Sequence, residues 1–270
     1  SKYPKIGQIF LLTYSAVLLN TTGIDPVTGK TLTVVDMAVR RGFAVAVGVF
    51  IGLLVSWYIW PFTARKALRI NLAYILFDIG ILYQKMVDLF DQDVIFPEEK
   101  EEFLEKELGL RLLLAKQREL LSQTVHEPRL VGEFPTAVYG RMIDGCGEIL
   151  DRLVGMRGGI TQAHFPSLRQ DFIIPINPYR TPLIRAISLT FYILSGSLML
   201  KAPLPRHLPD ARTARSRSVD QIRRLPACDP RSVVERGDPM SVYYYAYVVG
   251  MEDVVTGLEV LGGLGKALFG

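Results

Sequence analysis

Residues Gly42–Trp60 read GFAVAVGVFIGLLVSWYIW, nineteen residues without a charged side chain, closed by Pro61 and followed by Arg65, Lys66 and Arg69. A bilayer core of ~30 Å is crossed by ~20 apolar residues at ~1.5 Å of helix rise each. The run is long enough to span, and it predicts a transmembrane helix over 42–60. The 210 residues beyond it then form the water-facing domain that this helix carries.

Outward from this run toward the start, Ile6–Ile24 also lacks charge but contains Gln8, Thr13, Ser15, Asn20, Thr21 and Thr22. Ile6–Leu19 is expected to be the end of a preceding membrane helix. Residues 20–41, rich in Gly, Thr and Asp, are expected to be the loop between the two. The hairpin would put Lys2, Lys5, Arg65, Lys66 and Arg69 on one side and Lys30, Arg40 and Arg41 on the other. The excess of basic residues makes the first side cytoplasmic. Trp57 and Trp60 suit the membrane interface, with Arg65, Lys66 and Arg69 among the headgroups. The chain opens on Ser1 without a Met and runs almost directly into apolar sequence. It is therefore expected to be the later part of a longer protein.

Two features inside the hairpin carry functional readings. Gly48 and Gly52 form a GxxxG pair, which lets two helix backbones approach closely. Arg40 and Arg41 sit at the mouth of the predicted helix. A cation there would attract a small organic anion, or it would anchor the helix by snorkelling to the headgroups.

Composition bounds the class. Hydrophobic residues make up 49% and charged residues 21%. That is too apolar for an ordinary soluble protein and too charged for a pure membrane bundle. The net charge of +4 is not a broad basic field, so no nucleic-acid partner is expected. Cys146 and Cys228 form no CxxC pair and are expected to be reduced thiols.

Beyond Pro61 the sequence reads as helices. Leu68, Leu72, Ile75, Ile79, Leu82, Met86 and Leu89 recur at three- and four-residue gaps, one face of a helix over 62–90. Pro97-Glu98-Glu99 starts a second helix running to Val125, since Pro is tolerated in the first turn and acids favour the positive end of the dipole. These two helices form a long hairpin. Residues 127–135 are a loop. A third helix is expected over Thr136–Arg157, stopped by Gly158-Gly159. Residues 165–182, with four prolines, are expected to be irregular. A fourth helix, Leu183–Leu200, has an uncharged part too short to span and is expected to be a buried core helix. Residues 201–239 alternate Arg with Pro, Ser and Asp and are expected to be a flexible basic linker. That linker is able to touch anionic lipid and carries Arg-Ser-Arg-Ser at 215–218 as a phosphorylation target. A last helix covers 241–268.

Chemical motifs are weak. Gly23–Thr31, GIDPVTGKT, has five residues rather than four between its glycines, so it misses the phosphate-loop spacing. His126, His164 and His207 share no metal-ligand spacing with Cys or carboxylates. No GxSxG elbow and no catalytic triad can be assembled. The acid-rich Glu98–Glu107 reads as a solvated helix face. No catalytic residue, metal or cofactor is assigned, and no enzyme activity is expected.

Several segments together resemble a known family. These are Trp60-Pro61 with Thr63–Arg69, Glu127-Pro128-Arg129-Leu130 with Phe134-Pro135 and Tyr139, Glu148–Arg157, and Tyr243–Tyr247. The pattern resembles the C-terminal part of fungal brefeldin A-sensitivity proteins, multi-pass membrane proteins described as candidate transporters of the endoplasmic reticulum. These are similar in architecture to aluminium-activated malate transporters and to fusaric acid resistance-type aromatic acid exporters. In that group a membrane bundle precedes a cytosolic helical domain.

The resemblance implies part of an organic-anion transporter, embedded in endomembrane lipid and assembled as a homodimer. A membrane-anchored scaffold in secretory traffic is the alternative. The expected architecture is all-α. A membrane segment (1–60) precedes a cytosolic helical domain (61–200), the basic linker (201–239) and a C-terminal helix (240–270) packed on that domain.

Overall fold

The computed structural model describes residues 34–55, 64–91, 97–124, 134–162, 174–225 and 239–270, and every regular element among them is a helix. The protein is all-α. It divides into two compact units, Ser1–Phe62 and Thr63–Gly270.

The described part of the first unit is α1, Val34–Leu54. It starts eight residues before the predicted Gly42, so Arg40 and Arg41 lie inside the helix rather than in a loop. The reason is local. Residues 34–41 contain no Gly or Pro, Met, Ala and Arg propagate helix well, and Asp36 sits in the first turn against the positive end of the dipole. The expected helix 6–19 and residues 56–60, with Trp57 and Trp60, lie outside the described residues.

The second unit contains α2 (Ala64–Asp91), α3 (Pro97–Thr124), α4 (Thr136–Gln162), α5 (Ile174–Leu200), α6 (Ala211–Ile222) and α7 (Pro239–Phe269). The predicted hairpin is α2 and α3, joined across the bundle by Lys85 and Glu102. α2 runs antiparallel to α5, and α4 antiparallel to both α3 and α7. The core is built on Leu68, Leu72, Ile79, Leu82 and Met86 of α2 against Ile187, Phe191 and Leu194 of α5, all buried. Gly80 lets the two backbones close. A Cβ there would lie 3.0 Å from the Phe191 Cβ. Gly257 does the same for α4 and α7, where a Cβ would meet Ile149 Cγ1 at 2.9 Å.

Three expectations are corrected in this unit. α4 does not stop at Gly158-Gly159 but continues to Gln162. A mid-helix Gly costs only about 1 kcal/mol and does not by itself end a helix. α5 does not begin at Leu183 but at Ile174, with Pro178 and Pro182 inside it. Both prolines lie on the exposed face, where water can reach the carbonyls that lose their donors. The stretch expected to be a flexible linker contains α6. Asp210 caps α6 by accepting from the Thr213 N–H at 2.9 Å, and α6 buries Ala211, Ser218 and Ile222.

α2 (as Ala64–Leu89) and α5 are long and apolar enough to cross a membrane by length and composition, and about half of each is buried inside the bundle. A core helix has the same composition. α1 is different in kind. Phe43 is 72% exposed, and Val45, Phe50, Ile51 and Leu53 are exposed as well.

Candidate functional site

The residues singled out from sequence separate into three places. Arg40 and Arg41 lie in the second turn of α1, Arg40 exposed and Arg41 half-buried. Gly48 and Gly52 follow on the same helix, and a Cβ at either would meet nothing within 4 Å.

Arg65, Lys66 and Arg69 are in the first turns of α2, and their fates differ. Lys66 is exposed. The Arg65 guanidinium lies 5.6 Å from the Phe134 ring centroid, within cation–π range. Phe134 in turn stacks on Tyr139 at 4.7 Å, and the Pro135 carbonyl accepts from the Val138 and Tyr139 N–H groups to start α4. Arg69 is only 8% exposed. It donates to the Leu198 carbonyl and, at 2.7 Å, to the Met199 carbonyl. The interface role expected for Arg69 is therefore corrected. Its guanidinium caps the C-terminus of α5, where orphan carbonyls and the negative dipole end favour a cation. Burial pushes the Tyr139 phenol up in pKa, partly offset by the Arg69 charge.

A groove of about 580 Å³ with a polar lining lies between α4 and α7. Its charged residues are Glu148, Asp151, Arg152 and Asp253. Arg152 pairs with Asp253 at 3.1 Å and Asp151 with Arg111 at 2.9 Å. Three carboxylates against one guanidinium make this lining disfavour an anion. A second recess, of about 20 Å³, lies among α5, α6 and α7 and has room for one water. It is lined by Arg180, Arg215, Ser218 and Tyr247. Arg180 is 2% exposed, and its Nε donates to the Tyr247 hydroxyl at 3.4 Å. Arg180 lies in the stretch 165–182 that was expected to be irregular, so sequence reading missed it. Cys146 is buried in α4, and burial pushes its thiol up to about 12. His126, His164 and Cys228 lie outside the described residues, and His207 is exposed.

A family model described as the brefeldin A-sensitivity protein 4-like domain matches residues 63–247. A curated relative, Protein BRE4 of Eremothecium gossypii, is 25% identical over 190 residues. That match takes in 68% of this chain and 18% of the relative, so the chain spans about a fifth of that protein's length. No solved structure matches.

Proposed function

This chain belongs to the brefeldin A-sensitivity protein 4-like family, and we propose that it is a portion of a multi-pass membrane transporter for small organic anions. In this reading α1 crosses the membrane among the other helices of the whole protein. Its Arg40 and Arg41 attract the anion at one end, and the bundle that begins with α2 lies on the cytosolic side of an endomembrane such as the endoplasmic reticulum. The observation that carries it is α1 itself, which bears charge only in its first turns and exposes large apolar side chains on every face. A helix apolar all round is stable in lipid or between other membrane helices, not in water. The acid-dominated groove in the bundle disfavours an anion site there, which leaves the bundle to assembly or regulation. Leu104, Leu108 and Leu112, spaced four residues apart, form an exposed ridge on α3, which supports pairing with a second copy. No catalytic or nucleic-acid role is assigned.

The same leucine ridge favours a second reading, a membrane-anchored scaffold in secretory traffic. Reconstitution of the whole parent protein separates the two. Vesicle flux of malate-like and aromatic acids is expected, and Arg40→Ala with Arg41→Ala should abolish it. Absence of flux under every condition would leave the scaffold.

A further inference from the structure

Charge is sorted along the helical bundle. The antiparallel packing gathers the N-termini of α2 and α4 and the C-termini of α3, α5 and α7 at one end. No Asp or Glu occurs in 64–77, 134–143, 194–206 or 262–270, the stretches that α2, α4, α5 and α7 bring there. The α3 terminus adds Glu119 and Arg118, the latter paired with Asp144. The opposite end carries acids on α3, among them Glu98 and Glu101.

The basic end has an exposed set of cations, Lys66, Arg141, Lys201, Arg206 and Lys266. No carboxylate pairs with them among the described residues. Two of them, Arg206 and Lys266, are tied together. The Lys266 Nζ donates to the Arg206 carbonyl at 3.1 Å, and Gly265 packs under Leu204 and Leu194.

A second feature points the same way. α5 ends in a Schellman turn, with the Ala202 N–H donating to the Ser197 carbonyl at 3.2 Å and Lys201 at φ 54°. Glycine is the usual residue at that left-handed position. A lysine there keeps a charge where the backbone would favour none. Directly before it, Leu200 is 76% exposed, and Met199 is exposed beside it.

We propose that this end of the bundle docks on an anionic lipid surface. Lys66, Arg141, Lys201, Arg206 and Lys266 pair with headgroup phosphates and carboxylates, and Leu200 enters the acyl boundary. Arg69 takes no part, since it is buried and its Nη1 donates to the α5 carbonyls. The inference rests on the reading that the chain is membrane-embedded. It adds that the bundle is held against the leaflet, and that α5, whose C-terminus carries Leu200, ends at that surface.

The test reconstitutes the full chain in vesicles of phosphatidylcholine alone or mixed with phosphatidylserine at low salt. Backbone hydrogen exchange is read at 197–206, and flotation separately reports insertion. On the anionic vesicles these amides should be protected, and added salt should reverse the protection. Lys201→Glu and Lys266→Glu should each lower the docked population on the order of fivefold. Lys201→Gly removes a charge while relaxing the turn, so it should weaken docking without loosening the fold. Equal exchange on both vesicles, or no effect of charge reversal, overturns the docking and leaves insertion standing. Protection on neutral vesicles means that protein, such as the acidic end of a second copy, covers this surface, and it also overturns the proposal. A chain that floats with neither vesicle overturns the membrane reading together with it.

Discussion

α1 and α5 are both long, apolar helices, and they dispose of their apolar surface in opposite ways. α5 turns Leu183, Ile187, Phe191, Leu194 and Leu198 inward and keeps Leu189 and Tyr192 outside. Two of its buried hydroxyls are matched at close range. Ser195 Oγ donates to the Ala73 carbonyl at 2.8 Å, and Thr190 Oγ1 to the Ala186 carbonyl at 2.8 Å. α1 carries Phe43, Val45, Phe50, Ile51 and Leu53 exposed around its circumference, with no buried position among its described side chains. Length and composition do not separate the two. The arrangement of partners does.

The sharpest way to break that comparison is a matched pair of truncations. Phe191→Ala should cost about 3–5 kcal/mol in chemical denaturation, because the site is closed in by Tyr83 and Gly80 and cannot collapse. Phe43→Ala should change bundle stability by less than about 0.5 kcal/mol while weakening partition into vesicles. Similar destabilisation by both would mean that α1 is a core helix after all.

The arginines at the start of α2 sharpen the contrast between anchor and cap. Arg69→Ala leaves two carbonyls at the α5 C-terminus without their cation and should cost about 1.5–3 kcal/mol. Lys66→Ala, a few residues away and exposed, should stay within about 0.5 kcal/mol in neutral detergent. A larger effect at Lys66 than at Arg69 would restore the interface reading for Arg69.

These arginines show what was legible in sequence. The spacing of Leu68, Leu72 and Ile79 gave away α2 because its partner face is periodic. Pro97 with its acids marked α3 because capping is local. The role of Arg69 was hidden because its acceptors are about 130 residues away. α6 had a local start signal, Pro209-Asp210, and small or apolar positions at Ala211, Ala214 and Ile222 on the face that buries Ser218. Arginine content outweighed them, yet two of those arginines pair with carboxylates on α7. Arg212 pairs with Glu259 and Arg215 with Glu252, both on α7. The candidate site divides the same way. Arg40 and Arg41 were visible as charges, whereas the basic end of the bundle is assembled from α2, α4, α5, α7 and the turn after α5.

A smaller effect separates the glycines. Gly48→Ala or Gly52→Ala meets open space in α1 and should raise helix stability by up to about 1 kcal/mol. Gly257→Ala, closed against Ile149, should not gain. If either α1 change instead lowers self-association in bilayers, measured by energy transfer between labelled chains, the GxxxG pair packs against another helix.

The last effect is a pH dependence confined to α6. Hydrogen bonds from Thr213, through its hydroxyl and its backbone N–H, hold the Asp210 carboxyl below the usual carboxylate range. A depressed folded value stabilises the cap above the unfolded carboxyl pKa, and that stabilisation is lost as pH falls through the folded value. α6 should therefore loosen under acid before the α2–α5 core, and amide exchange over 211–222 should rise first. Asp210→Asn keeps an acceptor for Thr213 and cannot titrate, so it should flatten this acid response while leaving α6 docked near neutral pH. An unchanged response in that variant would remove the Asp210 cap as its cause.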